Sequence, residues 1–457
     1  MNEHLNTEFQ RIWQAGSLNP TADRTIQKQA AQVPSILSPI LSSSKTPEDY
    51  EPISLLNKLK QNPYFKLIDF GYDEVNKLAV CRLEYKENIY DFNLSYNSFQ
   101  MSDLLRLGHQ LSEENNAELN GAKYSLVTQL FFNEDVLTSY HLQLKIAYTL
   151  VPDMIALADE SAYKVYSPLW TKLAACSQIP PSPGYLFLVH AIKEDKKKWF
   201  PVSESKRKVW LHTHGLNRCG IPDLDILNSS EKFARSHYDL LNTMAIRMIN
   251  DGGLEEASPI FLANTMSGNA IVGTWVKWDT ARKEYKKNLL GGECDRDEYD
   301  HKKDNGFFFL YLTPEDAENK KLTQVTIIPE NEFENLLVMI SDEETLRMSL
   351  LARERFNYLV KGLQLHDAHA IVKIAIHVDE DKKEEAGSDY EHIWFEVKNI
   401  EGEELICELL QEPYFVKKLQ VGTKKAYTLN ELTDWILYLP DQTIQPDTAY
   451  IIDVITS

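Results

Sequence analysis

Residues 65–93 read FKLIDFGYDEVNKLAVCRLEYKENIYDFN, and this stretch decides the class of fold. Apolar and polar residues alternate in three short runs, which is the period of a β-strand that buries one face. Turn-forming residues separate the runs, at Gly71 and Asp73 and again at Glu87 and Asn88. Three short strands joined by tight turns predict an antiparallel meander.

The elements around the meander do not follow a strict strand–helix repeat. Apolar residues at helical spacing, such as Leu142 and Ile146, follow a strand-like run, and further strands are predicted at 271–278 and 307–312. A doubly wound parallel sheet would require strands and helices to alternate regularly. The sequence therefore predicts a multi-domain α+β fold in which mixed or antiparallel sheets pack with helices.

A length of 457 residues predicts about three compact domains. We divide the chain into an N-terminal helix and extended arm at 1–52, a small β-meander plus helix domain at 53–118, a central α+β domain at 119–340 and a C-terminal α+β domain at 341–457. Four prolines between Pro34 and Pro52 argue against a long regular element in the arm.

Residues that typically begin or end a helix occur at several positions. Ser229 or Ser230 is a candidate N-cap for a central helix that Gly252 would end, and Ser341 is a capping residue for a helix that opens the last domain. In that domain the apolar pattern predicts strands at 370–378, 392–397 and 405–409, a short helix at 429–436 and a closing strand at 448–454.

The composition argues against nucleic-acid partners, membrane association and secretion. There are 48 Lys+Arg against 68 Asp+Glu, a formal net charge of −20, whereas phosphate binding requires clustered basic residues. We therefore expect no nucleic-acid partner. No stretch of about 18 apolar residues occurs, so no membrane is expected either. The five cysteines are scattered and form no C-x-x-C pair, and the N-terminus lacks a secretory signal, which together indicate a cytoplasmic protein with reduced thiols.

The strongest candidate for chemistry is the pair His212 and His214, followed closely by Asp223 and Asp225. Residues two apart on a strand project to the same side, so both imidazoles can reach one ion, and a returning strand can add Asp223 or Asp225. That arrangement predicts a divalent metal site with an open position. The alternative is an edge strand with two polar histidines and aspartates that bind turn amides, in which case no cofactor is expected.

Two stretches resemble known bacterial families. The phrase EHIW at 391–394, EPY at 412–414, Gly422 and the pair Asp434 and Trp435 resemble, in order, the YegJ-type domain of unknown function, with Gln411 where that family usually has Asn. The phrase GLNRCGIPDLDI at 215–226 is similar to uncharacterised bacterial families and, more distantly, to suppressor-of-fused domains, some of whose bacterial relatives are toxin immunity proteins. The first resemblance implies an α+β domain with no established activity.

The first of these resemblances singles out six candidate binding residues in the C-terminal domain, namely Glu391, His392, Trp394, Glu412, Tyr414 and Trp435. Trp and Tyr are enriched in interface hot spots, although large aromatic residues that flank strands more often fill a core. No nucleophile elbow and no phosphate loop occurs.

We therefore expect a non-enzymatic protein, immunity-like or regulatory, that captures another protein through its acidic surface, with a basic toxin or nuclease as one such partner. The alternative is a metal-dependent hydrolase centred on His212 and His214, and a third possibility is a scaffold whose units bind different partners.

Overall fold

A computed structural model describes residues 33–194, 207–265, 268–285, 289–298, 305–327, 336–338, 340–386 and 388–456. The N-terminal helix predicted within 1–52, from about residue 7 to residue 15, lies outside these ranges. Within them the chain forms three sheets and a set of packed helices, which confirms the predicted α+β class with mixed and antiparallel sheets. No helix in the described ranges has the length and apolar character needed to cross a membrane.

The first sheet has eight strands in the order β2-β3-β4-β6-β1-β7-β8-β5. Its strands are β1 (Ser35–Ile40), β2 (Lys66–Asp73), β3 (Leu78–Tyr85), β4 (Asn88–Ser98), β5 (Arg106–Leu107), β6 (Tyr124–Leu130), β7 (Ala156–Asp159) and β8 (Lys164–Tyr166). The predicted meander is confirmed, because β2, β3 and β4 pair antiparallel in sequence order. Along β3, Ala79, Cys81 and Leu83 are buried while the residues between them are more exposed, as the alternation predicted.

Strand β1 changes the interpretation of the N-terminal arm. It lies between β6 and β7 and is almost entirely buried, although we expected an extended arm over 1–52. The first sheet therefore runs across the divisions placed at 52/53 and 118/119. Pairing with distant strands satisfies the backbone of β1, and the local proline content could not reveal that pairing.

Four helices accompany the first sheet. They are α1 (Pro52–Gln61), α2 (Glu113–Leu119), α3 (Val136–Leu150) and α4 (Pro168–Cys176). Helix α3 is buried along most of its length, including the polar residues His141, Gln143 and Lys145. The Lys145 ammonium donates to the carbonyl oxygens of Ala175 and Ser177, at 2.6 and 2.8 Å, and so satisfies the C-terminal end of α4.

The second sheet has seven strands in the order β15-β12-β13-β14-β11-β10-β9. Its strands are β9 (Leu188–Lys193), β10 (Lys208–His214), β11 (Leu224–Ser230), β12 (Ile260–Asn264), β13 (Ala270–Lys277), β14 (Gly306–Tyr311) and β15 (Leu337–Val338). All its pairings are antiparallel except that of β11 with β14. The helices in this region are α5 (Ala234–Asn250), α6 (Trp278–Ala281), α7 (Glu293–Glu298) and α8 (Pro314–Glu318).

The two faces of the second sheet are covered differently. Helix α5 contributes Leu241, Met244 and other buried residues to a core that the first two sheets share. On the opposite face, Trp210, Trp278 and Phe307 form a separate aromatic cluster. The start of α5 corrects a prediction: Ser229 and Ser230 end β11 instead of capping the helix, because strand pairing extends to them. Its end agrees with the prediction, with Gly252 at a φ of 75° just beyond it.

The third sheet is antiparallel throughout, in the order β19-β18-β17-β16-β20-β21. Its strands are β16 (His369–His377), β17 (Tyr390–Glu401), β18 (Glu404–Leu409), β19 (Lys424–Thr428), β20 (Leu432–Tyr438) and β21 (Thr443–Ile444). The remaining helices are α9 (Asp342–Glu354), α10 (Phe356–Gly362), α11 (Lys383–Ala386) and α12 (Tyr450–Thr456). Ser341 caps α9 as predicted, because its hydroxyl accepts from the Glu344 amide at 3.2 Å.

Two element types in the C-terminal domain were predicted wrongly. The helix expected at 429–436 is a single 3₁₀ turn followed by strand β20, whose Trp435 and Leu437 face the core and pair across to β16. The strand expected at 448–454 falls largely in helix α12, which packs against α4 and α10. In the first segment, pairing with β16 agrees with the β preference of Thr433 and Ile436. In the second, packing against α4 and α10 outweighs the β preference of the β-branched residues.

Candidate metal site

Three histidines meet on one face of the second sheet. His212 and His214 lie two residues apart on β10, so both project to the same side. Strand β9 pairs antiparallel with β10, in a register that places His190 directly opposite His212. Directly opposed residues of an antiparallel pair have neighbouring side chains, so the third imidazole joins the first two.

The three rings are spaced for a shared ion. The Nε2 atoms of His212 and His214 lie 2.9 Å apart, and one ligand nitrogen from each of the three histidines lies within 4.8 Å of the others. Tetrahedral zinc with zinc–nitrogen bonds of about 2.0–2.1 Å requires nitrogens about 3.3 Å apart. Small side-chain rotations would therefore convert the present cluster into a set of three ligands.

Aromatic rings surround the histidines. The Trp210 ring lies 4.6 Å from the His212 ring, and the Tyr163 ring lies 4.8 Å from that of His214, nearly perpendicular at 85°. His212 is fully buried, whereas His190 and His214 are half-buried. Access to the cluster is therefore from the side of His190 and His214.

The predicted ligand Asp223 does not join the histidines. Its carboxylate accepts hydrogen bonds from the Thr213 hydroxyl at 2.8 Å, the Leu216 amide at 3.1 Å and the Asn217 side chain at 2.7 Å. Thr213 lies between the two histidines in sequence and projects to the opposite face of β10. Burial raises the pKa of Asp223 to about 7, although these hydrogen bonds act in the other direction. Its place beside His212 and His214 is taken by His190.

Asp225 lies beside the histidines, on the neighbouring strand β11. It lies opposite His212 on β11, but its carboxylate accepts from the Trp210 indole at 2.6 Å and from Arg296 at 3.0 Å. The Arg296 guanidinium lies over the Trp210, Trp278 and Phe307 rings, and both members of the ion pair are fully buried. This network holds Trp210 in place against His212.

A turn of the first sheet closes the other side of the site. The turn between β7 and β8 carries Tyr163, which has a φ of 52°, a conformation that is rare for a bulky residue. Gly215 follows His214 with a φ of 112°, and a Cβ there would lie 2.6 Å from the Leu186 oxygen and 3.3 Å from the Ala162 Cβ. The contact with the Leu186 oxygen and the positive φ require glycine here, and the Ser161 oxygen of the turn, 3.2 Å from such a Cβ, adds a tight contact.

A buried ion pair ties the turn to the second sheet. The Arg218 guanidinium makes two hydrogen bonds to the Asp159 carboxylate, at 2.9 and 2.8 Å, and both side chains are fully buried. Asp159 also accepts from the Ala162 amide at 3.1 Å, and Arg218 also donates to Ser35 and the Leu186 oxygen. The turn that carries Tyr163 is therefore held by contacts with residues of both the first and the second sheet regions.

Sequence reasoning missed His190. The apolar run at 185–189 predicts a strand, and His190 follows it directly, so a histidine at a strand end was visible. The pairing of β9 with β10 and its register are non-local, however, and no local pattern places residue 190 opposite residue 212.

The six candidate binding residues of the C-terminal domain do not form one site. Trp435 is fully buried in the core of the third sheet, and its indole donates to the Ala352 oxygen at 3.1 Å, so it is a packing residue and offers no surface to a partner. His392 contacts the Thr433 hydroxyl at 3.1 Å, and burial, followed by the Lys373 charge, lowers its pKa. Trp394 lies under the Lys373 ammonium at 4.8 Å.

The other three candidates lie at one end of β17. The Glu391 carboxylate accepts from the backbone amides of Tyr414 and Phe415, both at 2.8 Å, and so fixes the loop that follows β18. Glu412 is exposed on that loop, and Tyr414 is 82% exposed. This loop is the part of the predicted binding surface that does present an aromatic side chain to solvent.

Comparisons with known proteins give families without a known function. The N-terminal model of DUF4026, a protein of unknown function, matches residues 35–181, and its C-terminal model matches 189–309. The model of DUF2314, described as an uncharacterised protein conserved in bacteria, matches 347–457. None of the curated proteins and none of the solved structures matches the chain. The chain therefore carries, in order, segments that match the N- and C-terminal domains of DUF4026 and a DUF2314 domain.

Proposed function

We propose that this chain binds one divalent transition-metal ion through His190, His212 and His214 and uses it for hydrolysis. One observation carries the proposal, namely the convergence of three imidazoles from two paired strands within 4.8 Å. Imidazole ligands suit zinc, copper, iron and nickel better than magnesium or calcium, which prefer oxygen. Zinc is the first ion to test.

Among the residues that the structure describes, three imidazoles can reach one ion, and this number supports a catalytic site over a purely structural one. Structural zinc sites are closed by four protein ligands, whereas catalytic sites have three and keep one position for water or substrate. Such an ion lowers the pKa of a bound water and polarises a substrate oxygen, which is the chemistry of metal-assisted hydrolysis. Support for hydrolysis rests on this donor set and on the half-buried rings of His190 and His214.

Replacing His214 by asparagine, or His190 by asparagine, is expected to weaken zinc binding by more than about 100-fold. Losing a supporting partner of a ligand already costs about 10- to 100-fold in metal affinity, and losing a ligand costs more. Affinity is measured by competition with a chromophoric zinc chelator. Both positions are half-buried and asparagine is smaller than histidine, so the variants are expected to fold.

His366→Asn is the matched control, because the His366 side chain is 91% exposed and lies in another domain. Equal zinc affinity in all three variants would contradict the proposed site. The hydrolytic part is tested with zinc-loaded protein on 4-nitrophenyl acetate and 4-nitrophenyl phosphate. We expect the wild type to hydrolyse at least one of these esters, the His214→Asn variant to lose this activity and the His366→Asn variant to keep it. Equal activity in the wild type and both variants would count against hydrolysis at this site.

A second candidate function is the capture of another protein by the loop after β18, in an immunity-like or regulatory role. One observation favours it: Tyr414 is 82% exposed while Glu391 holds its backbone amide, so the aromatic ring is presented from a fixed loop. Rigid, exposed aromatic residues are common anchors at interfaces. The net charge of −20 favours a basic partner. The YegJ and suppressor-of-fused resemblances stay predictions and carry neither function.

Tyr414→Ala is expected to remove a partner that the wild-type chain retains from bacterial lysate at low salt. The matched control is Leu346→Ala, which removes another exposed apolar side chain, 59% exposed, from helix α9. Retention is compared at low and high salt, because association between an acidic and a basic protein is screened by salt. Identical sets of retained proteins for both variants would contradict a role for Tyr414.

A further inference from the structure

We infer that Cys176 is a modification site, at which the thiol exchanges with a low-molecular-weight disulfide to form a mixed disulfide, and that Lys145 and Tyr64 promote this exchange. The inference is independent of the proposed metal site and of the loop that carries Tyr414. It rests on the position of an exposed thiol beside a buried ammonium group.

The first step concerns access to the thiol. Cys176 is the last residue of α4 and is exposed. Among the other cysteines whose side chains the structure describes, Cys81 and Cys407 are buried and Cys219 is partly buried. Burial raises the pKa of each of these three thiols to about 12, so they stay protonated near neutral pH. Exposure therefore favours Cys176 as the reacting thiol.

The second step concerns Lys145, which is only 2% exposed and forms no ion pair with a carboxylate among the described residues. Its ammonium donates to the carbonyl oxygens of Ala175 and Ser177, the residues on either side of Cys176. A buried cation without an anion is costly. Burial lowers the pKa of Lys145 to about 8, and a negative sulfur at Cys176 opposes this change more strongly than the Glu354 carboxylate does. The ionised sulfur of Cys176 therefore compensates the Lys145 charge.

The third step concerns the groups that stabilise an ionised sulfur. The Tyr64 hydroxyl lies 3.3 Å from the Cys176 sulfur, and the Lys145 ammonium lies 4.6 Å from the centre of the Tyr64 ring. A hydroxyl that donates to a thiolate makes a charge-assisted hydrogen bond, which is stronger than a bond between neutral groups. The carbonyl oxygens at the end of a helix disfavour a nearby negative charge, and Lys145 offsets this effect because it binds two of them.

The reaction is a thiol–disulfide exchange. The Cys176 thiol gives its proton to solvent, and the thiolate attacks one sulfur of the disulfide. A sulfur–sulfur bond to Cys176 forms as the original one breaks, and the other half of the disulfide leaves as a thiolate that takes up a proton. Cys176 is oxidised, the leaving half is reduced, and an added thiol reverses the exchange.

The test follows the reduced, full chain as it reacts with dithiodipyridine, a neutral disulfide that releases a coloured thione, and peptide mass spectrometry locates the modified residue. We expect Cys176 to be modified before any other cysteine. In Lys145→Met we expect the rate near pH 7 to fall about 3-fold, because a roughly tenfold loss of thiolate is partly offset by greater intrinsic nucleophilicity. The pH profile of the rate is expected to move to higher pH, and Tyr64→Phe is expected to act in the same direction.

Lys172→Met is the matched control, because Lys172 is an exposed lysine four residues before Cys176 on α4 and solvent screens its charge. An equal loss of rate in Lys172→Met and Lys145→Met would overturn the role of the buried ammonium. Wild-type rates and pH profiles in both Lys145→Met and Tyr64→Phe would overturn the promotion by these residues. Faster modification of another cysteine in the folded wild type would overturn the assignment of Cys176. Circular dichroism checks folding, and if Lys145→Met unfolds, Tyr64→Phe decides, because it removes only a hydroxyl.

Discussion

Replacing Arg218 by methionine is expected to lower the free energy of unfolding by about 3–5 kcal/mol, because it leaves a buried carboxylate without its cation. Arg218 and Asp159 are both fully buried and joined by two hydrogen bonds. Methionine fills a comparable space without a charge, so the loss reflects the uncompensated Asp159 and the Leu186 oxygen that Arg218 also serves. Equilibrium unfolding in urea measures it.

Arg82→Met is the matched control. Arg82 also makes two hydrogen bonds to a carboxylate, that of Asp91, but the two side chains are 54% and 58% exposed. Exposed ion pairs contribute about 0–1 kcal/mol, so this variant is expected to lose less than about 1 kcal/mol. Similar losses for the two variants would show that the Arg218 pair does not clamp the first two sheets together.

Between about pH 6.5 and pH 4.5, the His109→Phe variant is expected to lose about 2–3 kcal/mol less of its free energy of unfolding than the wild type loses. His109 lies in a box of four rings, those of Tyr166, Trp170, Tyr185 and Tyr450, with centroid distances from 4.8 to 5.6 Å. Burial, followed by the nearby Lys164 charge, lowers its pKa to about 3.

The sign follows from where the proton binds. Between about pH 3 and pH 6.5 the unfolded chain protonates this imidazole and the folded chain does not, so acid favours unfolding. Each pH unit in that window costs about 1.4 kcal/mol for this one group, and above pH 6.5 the cost disappears. Phenylalanine has no such proton, and its ring suits the aromatic box.

Unfolding in urea at several pH values checks this prediction. The difference in stability between wild type and His109→Phe at about pH 8 serves as the reference, because His109 is neutral in both states there. A difference that stays constant from pH 8 to pH 4.5 would show that His109 is protonated in the folded chain, and the aromatic box would then not exclude the charge.

Local sequence patterns predicted the elements that depend only on residues close together in the chain. The alternation over 65–93 predicted β2 to β4, because each strand buries one face and turns back at once. Ser341 predicted the start of α9, because a cap requires only its own hydroxyl and a nearby amide. Strand β1 was missed, because its partners lie about 90 and 120 residues away and its buried position depends on them.

The candidate site likewise has a part that local spacing predicted and a part that depends on distant strands. The spacing of His212 and His214 predicted that their rings share a side of β10, since this requires only the strand period. The third ligand depends on the register between β9 and β10, which placed His190 where Asp223 was expected. The position of Tyr163 beside His214 depends on contact between two sheets, which no spacing within one segment can reveal.

The most direct test of the three-histidine metal site is the metal content of the full, untagged chain after equilibration with zinc and removal of free metal, measured by elemental mass spectrometry. We expect about one zinc ion per chain in wild type and in the exposed control His366→Asn. We expect close to none in the double variant His190→Asn/His214→Asn, with circular dichroism showing that the variant is folded. Wild-type chains that retain no zinc, or a double variant that retains as much as wild type, would contradict the three-histidine site.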